Sequence, residues 1–254
     1  IALSKLTHSL RAEEIQGRVI IVPFMNYPAF RAGKRTSPID GGNMNRIFPG
    51  NPDGTISEKI ADYFQRALLP LADYVLDLHS GGKTLDFGPF AAAHVLPDKT
   101  QQERCIAAMQ AFAAPYNIML LELDSVGLYD TAAEEQGKVF VSTELGGGGS
   151  ASQYTIEIAD IGVYNFLVHA GIKQGGLKTR TSIALDMPDN DCYITCEHDG
   201  LLEMCVDLGT EVKSGDIIAS VHNTSRTGVA ANEYHAKICL LYTSPSPRDS
   251  IAAR

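Results

Sequence analysis

Three places in this chain put reactive side chains where a strand is expected to end and a loop to begin. His79 ends the apolar run DYVLDL, Glu144 ends KVFVST, and the glycine-rich stretch GGNMNRIFPG offers Asn45 and Arg46. In open α/β sheets, reactive groups gather at such strand ends. Because imidazole is a common metal ligand, His79 raises the question of metal binding.

Each of these residues also has a structural explanation that the sequence leaves open. A lone histidine at a strand end is more often hydrogen-bonded than bound to a metal. Glu144 could be a solvated carboxylate, as most glutamates are. Arg46 could be a surface residue and Asn45 a turn residue. The combination of these positions, rather than any one of them, therefore predicts a site.

The elements that would position these residues alternate between strand and helix. The apolar patterns predict strands at 17–23, 73–79, 90–96, 138–145 and near 117–123. They predict helices over 1–10, from an N-cap at Ser57 to about Pro70, over 98–113 and over 153–170. This alternation favours an α/β fold with a central, largely parallel or mixed sheet covered by helices.

Composition narrows the class of protein further. The 254 residues carry a net charge of -9 and are 44% hydrophobic, so we exclude a nucleic-acid partner and expect a sizeable core. The longest apolar stretches fall far short of the roughly 20 residues that a membrane span needs, so we expect no membrane partner. Five cysteines in a chain of this length favour the reducing cytoplasm over a secreted disulfide framework. The oligomeric state stays open, a homo-oligomer included.

Changes in composition and hydrophobic pattern along the chain predict a division into four parts. Residues 1–172 form the α/β domain, and the polar stretch 173–182 reads as a linker. Residues 183–238 show short alternating runs with regular glycines, which indicates a small β domain. The final stretch, 239–254, is rich in Ser, Pro and Arg and looks like translated adapter or vector sequence, with a natural disordered tail as the alternative.

Three stretches together resemble the succinylglutamate desuccinylase and aspartoacylase family, relatives of the zinc carboxypeptidases. They are RTSPIDGGNMNRIFPG at 35–50, DLHSGG at 77–82 and TELGGGG at 143–149, in the order that the family shows. The resemblance covers residues 1 to about 238 and is strongest to the bacterial members that deacetylate N-alpha-acetyl-2,4-diaminobutyrate in ectoine breakdown. It implies a zinc-carboxypeptidase-like mixed sheet with a small barrel-sandwich-like β domain at the C-terminal side.

The resemblance also implies roles for individual residues. His79 matches the third zinc ligand, and Asn45 with Arg46 matches the pair that binds the substrate carboxylate. Glu144 matches the catalytic glutamate, which would act as general base toward a metal-activated water. The implied reaction is hydrolysis of an N-acyl amino acid to a carboxylic acid and an amino acid.

The chain departs from the family pattern in one respect that concerns the metal. Members carry a His-x-x-Glu pair of zinc ligands upstream, and no His-x-x-Glu occurs in this chain, since His8 is followed by Ser-Leu-Arg. We therefore expect a fragment cut downstream of two of its three zinc ligands, inactive and weak in zinc binding. The family uses a further arginine before the Asn-Arg pair, for which Arg35 and Arg31 are candidates.

The substrate within this class is the main alternative that the sequence leaves open. Acetyl-diaminobutyrate brings an ammonium, which favours an acidic pocket residue such as Asp86 or Glu122. N-succinylglutamate, or another N-acyl amino acid such as N-acetylaspartate, would instead call for different charges in the pocket. The glycine run at 146–149 lacks a following Lys-Ser or Lys-Thr and more simply frees the backbone beside Glu144.

A carrier or binding module is the alternative from a different class. The segment around Lys213 resembles half of a biotinyl or lipoyl barrel, but the setting of a modified lysine, such as Met-Lys-Met, is absent. Lys213 therefore reads as a turn residue. Cys192, Cys196 and His198 resemble half of a zinc site, yet they share one face of a predicted strand and read as packed side chains.

Overall fold

The structure of the protein, a computed structural model, describes residues 1–83, 85–120, 126–187 and 190–242. Its helices are α1 (Ala2–Ser9), α2 (Tyr27–Ala32), α3 (Ile56–Tyr63), α4 (Lys99–Phe112), α5 (Tyr129–Glu134) and α6 (Gln153–His169). Its strands are β1 (Tyr74–His79), β2 (Phe90–His94), β3 (Tyr116–Leu120), β4 (Val139–Glu144), β5 (Ile183–Asp186), β6 (Leu201–Met204), β7 (Glu211–Val212), β8 (Ile217–His222), β9 (Asn232–His235) and β10 (Leu240–Leu241).

Five of these strands form a mixed central sheet in the order β1-β4-β2-β3-β5. β1 runs parallel to β4, β2 runs antiparallel to β4, and β3 and β5 follow parallel to β2. The carboxyl ends of β1 and β4 therefore meet the start of β2 at one edge of the sheet. The predicted α/β fold with a mixed sheet flanked by helices is confirmed.

Strand alternation divides the core between the two faces of this sheet. On one face, Val139 and Val141 pack with side chains of α4 and α6. A side chain at Gly162 of α6 would overlap the ring of Phe112, so these two helices lie in close contact. On the opposite face, Val75 and Phe140 pack against the α3 region and α5. The second face is the one that leads to the candidate site.

The start of α3 differs from its prediction. Thr55, not Ser57, is the N-cap, and it forms a capping box with Glu58. The side chain of Ser57 is engaged elsewhere, because its hydroxyl and its backbone N–H both donate to Asp40. Beyond Tyr63 the helix continues as a π turn and a 3-10 turn, which end at Leu71.

Two predicted strands are absent from the described residues. Residues 17–23 form no strand, and Ile20 and Val22 are 43% and 37% exposed. A strand requires a hydrogen-bonded neighbour, and apolar alternation alone does not supply one. Around Cys192 a 3-10 turn replaces the predicted strand. The hydroxyl of Tyr234 forms hydrogen bonds with the side chains of Cys196 and His198 and with the backbone N–H of residue 197.

The C-terminal strands form two smaller sheets, one of order β6-β8-β9 and one that pairs β10 with β7. Lys213 lies in the turn between β7 and β8, where its N–H donates to Asp216. β5, at 183–186, forms the edge of the central sheet, and the segment before it is bound to α6 through Asn165. The predicted domain limits stay a prediction. In the described part of the chain, no helix has the length and apolar character to cross a membrane.

Candidate active site

His79 and Glu144 lie side by side because the strands that carry them are paired in register. β1 and β4 run parallel, and the Cα of His79 is opposite that of Glu144. Two residues earlier along each strand, Asp77 is opposite Ser142. Since alternate residues share a face, all four side chains continue the face on which Val75 and Phe140 are buried. The candidate site therefore lies at the carboxyl end of the sheet face whose earlier residues are buried in the core.

Asp77 is a site residue that the sequence analysis missed. His79 Nε2 lies 2.7 Å from Asp77 Oδ2, so the ring N–H donates to the carboxylate. The charge of Asp77 raises the pKa of His79 to about 9, against the opposing effect of burial. The signal was present in the sequence as Asp-Leu-His, since residues two apart on a strand share a face. The bond fixes the orientation of the imidazole.

Glu144 has one carboxylate oxygen that is buried without a partner. Its Oε2 makes no hydrogen bond to any described residue. Burial raises the pKa of Glu144 to about 7, although the charge of His79 acts in the opposite direction. A carboxyl group in this state can both accept and release a proton near neutral pH. The unpartnered oxygen can accept a hydrogen bond from a water or a substrate.

The loops that follow His79 and Glu144 are joined by backbone hydrogen bonds. Gly81 N donates to Gly146 O at 2.8 Å, Gly148 N to Leu85 O at 2.7 Å and Gly149 N to Gly82 O at 2.7 Å. We call residues 80–83, 85–86 and 145–150 the glycine clasp. A side chain at Gly147 would overlap the carbonyl of Leu85, so the close approach requires glycine there. The clasp holds the carboxyl ends of β1 and β4 together.

Asn45 and Arg46 lie in a short 3-10 turn that is held against the start of α5. Asn45 Oδ1 accepts a hydrogen bond from Tyr129 N at 3.0 Å. Phe48 N donates to Gly127 O at 3.1 Å, which fixes the same loop from its other end. The exposed Arg46 donates through Nη1 to the carbonyl of Asn45 at 2.6 Å. This loop therefore has a defined position relative to the core beneath the site.

The electrostatics of the site distinguish between the two candidate arginines. The charge of Arg35 lowers the pKa of both His79 and Glu144, although in each case it is a smaller influence than Asp77 or burial. Arg31 has no comparable effect and lies in the last turn of α2. Arg35 is thus the arginine that lies near the paired strand ends.

The fit of these residues to a zinc ion is incomplete. His79 Nδ1 has no hydrogen-bond partner in the described ranges, so this nitrogen could serve as a ligand. However, no three His, Cys, Asp or Glu side chains among the described residues are grouped so that they could hold a metal ion. A catalytic zinc site takes three protein ligands, and these residues supply one.

Comparison with known proteins identifies the family. Residues 1–170 match the succinylglutamate desuccinylase/aspartoacylase catalytic domain. The N-alpha-acetyl-L-2,4-diaminobutyric acid deacetylase of Halomonas elongata is 58% identical over 238 residues, which are 93% of this chain and 70% of that protein. The chain belongs to the succinylglutamate desuccinylase/aspartoacylase family. The predicted family is confirmed, and it makes the chain part of an enzyme rather than a carrier module.

Solved structures agree with this assignment. The product-bound ectoine utilization protein of Ruegeria pomeroyi has a TM-score of 0.94 at 58% identity, and the match covers 96% of this chain and 74% of that one. A succinylglutamate desuccinylase/aspartoacylase of Rhodobacter sphaeroides has a TM-score of 0.90 at 32% identity, with 95% and 74% covered. The fold is therefore shared by relatives whose names differ in substrate.

Proposed function

We propose that the chain is the main part of a zinc-dependent deacetylase that hydrolyses N-alpha-acetyl-L-2,4-diaminobutyrate. The observation that carries the proposal is the side-by-side position of His79 and Glu144 at the ends of β1 and β4. The unpartnered Oε2 of Glu144 supports it, because a general base needs an acceptor open to the reacting water. The name of the Halomonas elongata relative supports the choice of substrate.

In this proposal, Glu144 moves the proton. Its carboxylate takes a proton from the water that attacks the acetyl carbonyl, and it then delivers that proton to the nitrogen of the departing amine. His79 would supply one ligand to a bound zinc ion, which would contribute Lewis-acid polarisation of the reacting carbonyl. Asp77 keeps the imidazole of His79 oriented by accepting its Nε2 proton. The products are acetate and 2,4-diaminobutyrate.

Asn45, Arg46 and Arg35 bind the α-carboxylate of the substrate in this proposal. Arginine suits the task because its planar guanidinium can donate to both oxygens at once. The effect of Arg35 on both His79 and Glu144 supports a position close to the reacting amide. Anchoring the carboxylate in this way orients the scissile bond relative to Glu144.

The second candidate function is removal of a different acyl group, with N-succinylglutamate as the leading substrate. It is favoured by the fold shared with the Rhodobacter sphaeroides structure. The 58% identity to the Halomonas elongata deacetylase supports the first candidate more strongly. A succinyl and glutamyl substrate would also add two carboxylates, which would require further Arg or Lys side chains in the pocket.

A direct assay tests the proposal. The protein is expressed from its complete reading frame and loaded with zinc. It is then assayed separately with N-alpha-acetyl-L-2,4-diaminobutyrate, N-succinylglutamate and N-acetylaspartate. We expect the highest kcat/KM for N-alpha-acetyl-L-2,4-diaminobutyrate, and a loss of about 10²- to 10⁴-fold in Glu144→Gln. Glu135→Gln, an exposed glutamate after α5, is the matched control. Equal or better turnover of N-succinylglutamate would reject the proposed substrate.

A measurement of metal content tests the ligand set. The described residues supply one zinc ligand where three are needed, so we expect the 254-residue chain alone to hold zinc far below stoichiometry. Inductively coupled plasma spectrometry after dialysis measures this directly. One tightly held zinc per chain would contradict the proposed ligand set.

A further inference from the structure

The glycine clasp carries one acidic side chain that the proposed reaction does not use. Asp86 follows Leu85, whose carbonyl accepts the hydrogen bond from Gly148. Its Oδ1 lies 3.7 Å from the point where a side-chain carbon of Gly146 would stand. Gly146 follows Glu144 by two residues, so their Cα atoms are within about 7 Å of each other. Asp86 is therefore held beside the backbone that leads out of the catalytic strand.

The carboxylate of Asp86 is available for a ligand. It is exposed, and it has no hydrogen-bond or ion-pair partner among the residues that the structure describes. The other two acidic side chains near the site already have roles in the proposal. Asp77 accepts a hydrogen bond from His79, and Glu144 is the proposed base. Glu122, the other acidic candidate in the sequence, lies outside the described residues.

The position of Asp86 is defined by backbone contacts rather than by a mobile side chain. The Cα of Asp86 would lie 3.1 Å from a side-chain carbon at Gly147, which means that the two chains touch. Three hydrogen bonds of the clasp hold the same two segments together. After Asp86 the chain enters β2, where Phe90 is opposite Glu144 in the sheet. Both ends of this loop are thus tied to the strand that carries the base.

We propose that Asp86 selects the substrate by accepting a hydrogen bond from the side-chain ammonium of the amino-acid portion. This inference rests on the proposed function and adds a residue that sets specificity. In N-alpha-acetyl-L-2,4-diaminobutyrate the ammonium is four bonds from the scissile nitrogen, a reach comparable to the separation of Glu144 and Gly146. The α-carboxylate and the ammonium then meet opposite charges, the arginines at one side and Asp86 at the other.

Paired substrates separate this role from a structural one. N-acetyl-L-norvaline has the same side-chain length as acetyl-diaminobutyrate, with a methyl group in place of the ammonium. With the zinc-loaded protein from the complete reading frame, Asp86→Asn lowers kcat/KM for acetyl-diaminobutyrate about 10- to 100-fold, as expected for loss of a charged hydrogen bond. Hydrolysis of the norvaline compound changes less than about threefold.

Asp73→Asn is the matched control, because Asp73 is an exposed aspartate at the opposite end of β1. We expect Asp73→Asn to leave kcat/KM unchanged for both substrates. An equal loss on both substrates in Asp86→Asn, or no loss on either, overturns the role of Asp86.

Failure of the proposed function would give a different result, because the wild-type protein itself would then not hydrolyse acetyl-diaminobutyrate. In that case calorimetric titration with L-2,4-diaminobutyrate and L-norvaline tests Asp86 without turnover. Weaker binding of diaminobutyrate alone in Asp86→Asn supports the inference, and unchanged binding rejects it.

Discussion

At the residue scale, the site is a set of ionisable groups whose properties come from their contacts. Asp77 both orients His79 and raises its pKa, while burial raises the pKa of Glu144. The two strands deliver these groups to one face because they are parallel and in register. A metal-binding histidine that donates its second nitrogen to a carboxylate is a recurring arrangement in metal sites. Asp77 is thus a positioning residue rather than a catalytic one.

The first prediction concerns this positioning role. Asp77→Asn should weaken zinc binding about 10- to 100-fold, since the carboxylate no longer fixes the imidazole or increases its basicity. Competition with a chromophoric chelator, on the protein from the complete reading frame, measures the affinity. Asp73→Asn, immediately before the same strand, should leave the zinc affinity unchanged. If Asp77→Asn and the wild-type protein hold zinc equally well, the bond to His79 has no role in the metal site.

At the element scale, two loops fix the positions of the candidate site residues. The glycine clasp joins the ends of β1 and β4, and the loop at 35–50 carries the residues that we propose to bind the substrate carboxylate. Both loops are fixed by hydrogen bonds to backbone groups, which accounts for their glycine content and for the aspartate at position 40. Their sequences therefore reflect close backbone packing as much as direct contact with substrate.

A substitution in the clasp tests its importance. Gly147→Ala should lower kcat/KM by at least about tenfold, because the added carbon overlaps the carbonyl of Leu85 and displaces the loop after Glu144. Gly137→Ala is the control, since Gly137 has positive φ but open space around it, and there the strain costs about 1–2 kcal/mol of stability. Steady-state kinetics on both variants compares them. Similar kinetics in the two would argue against the clasp.

The carboxylate of Asp40 links the loop at 35–50 to the start of α3 by hydrogen bonds that favour its ionised form. The N–H groups of Ser57 and Gly42 donate to its carboxylate and lower its pKa to about 2. A lowered pKa means that the ionised form stabilises the folded state above the unfolded value of about 3.9, and that this stabilisation is lost as pH falls toward 2. Asp40 thus ties the loop to the start of α3 at neutral pH.

We expect Asp40→Asn to lower the melting temperature at pH 7, and the gap to the wild-type protein to close between about pH 4 and pH 2. Thermal unfolding followed by circular dichroism across this range measures the gap. The exposed Asp53→Asn is the control. A gap that stays constant with pH would mean that ionisation of Asp40 does not stabilise the loop.

At the scale of the whole molecule, one buried amide ties α6 to the segment that leads into β5, the edge strand of the central sheet. Asn165 of α6 is fully buried, and it both donates to Lys178 O and accepts from Lys178 N at 2.8 Å. The segment at 173–182, which the sequence predicts as a linker, is therefore tied to the catalytic part. Ser182 adds a hydrogen bond to Ala114 O just before β5 joins the sheet.

Asn165→Ala should destabilise the protein and loosen this segment. The N–H and C=O groups of Lys178 lose their side-chain partner, and each hydrogen bond contributes about 0.5–1.5 kcal/mol to stability. Urea unfolding measures the stability, and limited proteolysis should show faster cleavage within 173–182. Asn232→Ala, at an exposed strand position, should change neither. Unaltered cleavage in Asn165→Ala would show that the segment is held by other contacts.

The local patterns of the sequence determined the class of fold, and they placed the candidate site residues at the ends of predicted strands. Alternation of apolar residues depends on backbone geometry alone, which is why β1, β2, β4, α4 and α6 were predicted close to their observed limits. Residues at the carboxyl ends of parallel strands meet at one edge of a sheet. The sequence could therefore place His79 and Glu144 in the same region before their register was known. Their catalytic roles remain predictions.

Contacts between distant parts of the chain were decided only by the tertiary structure. The bond from Tyr129 to Asn45 spans 84 residues, and that from Ser57 to Asp40 spans 17, so local periodicity contains no trace of either. The same reason explains why 17–23 forms no strand, since pairing requires a neighbour that the pattern itself does not specify. The burial that raises the pKa of Glu144 likewise arises only when the sheet is assembled.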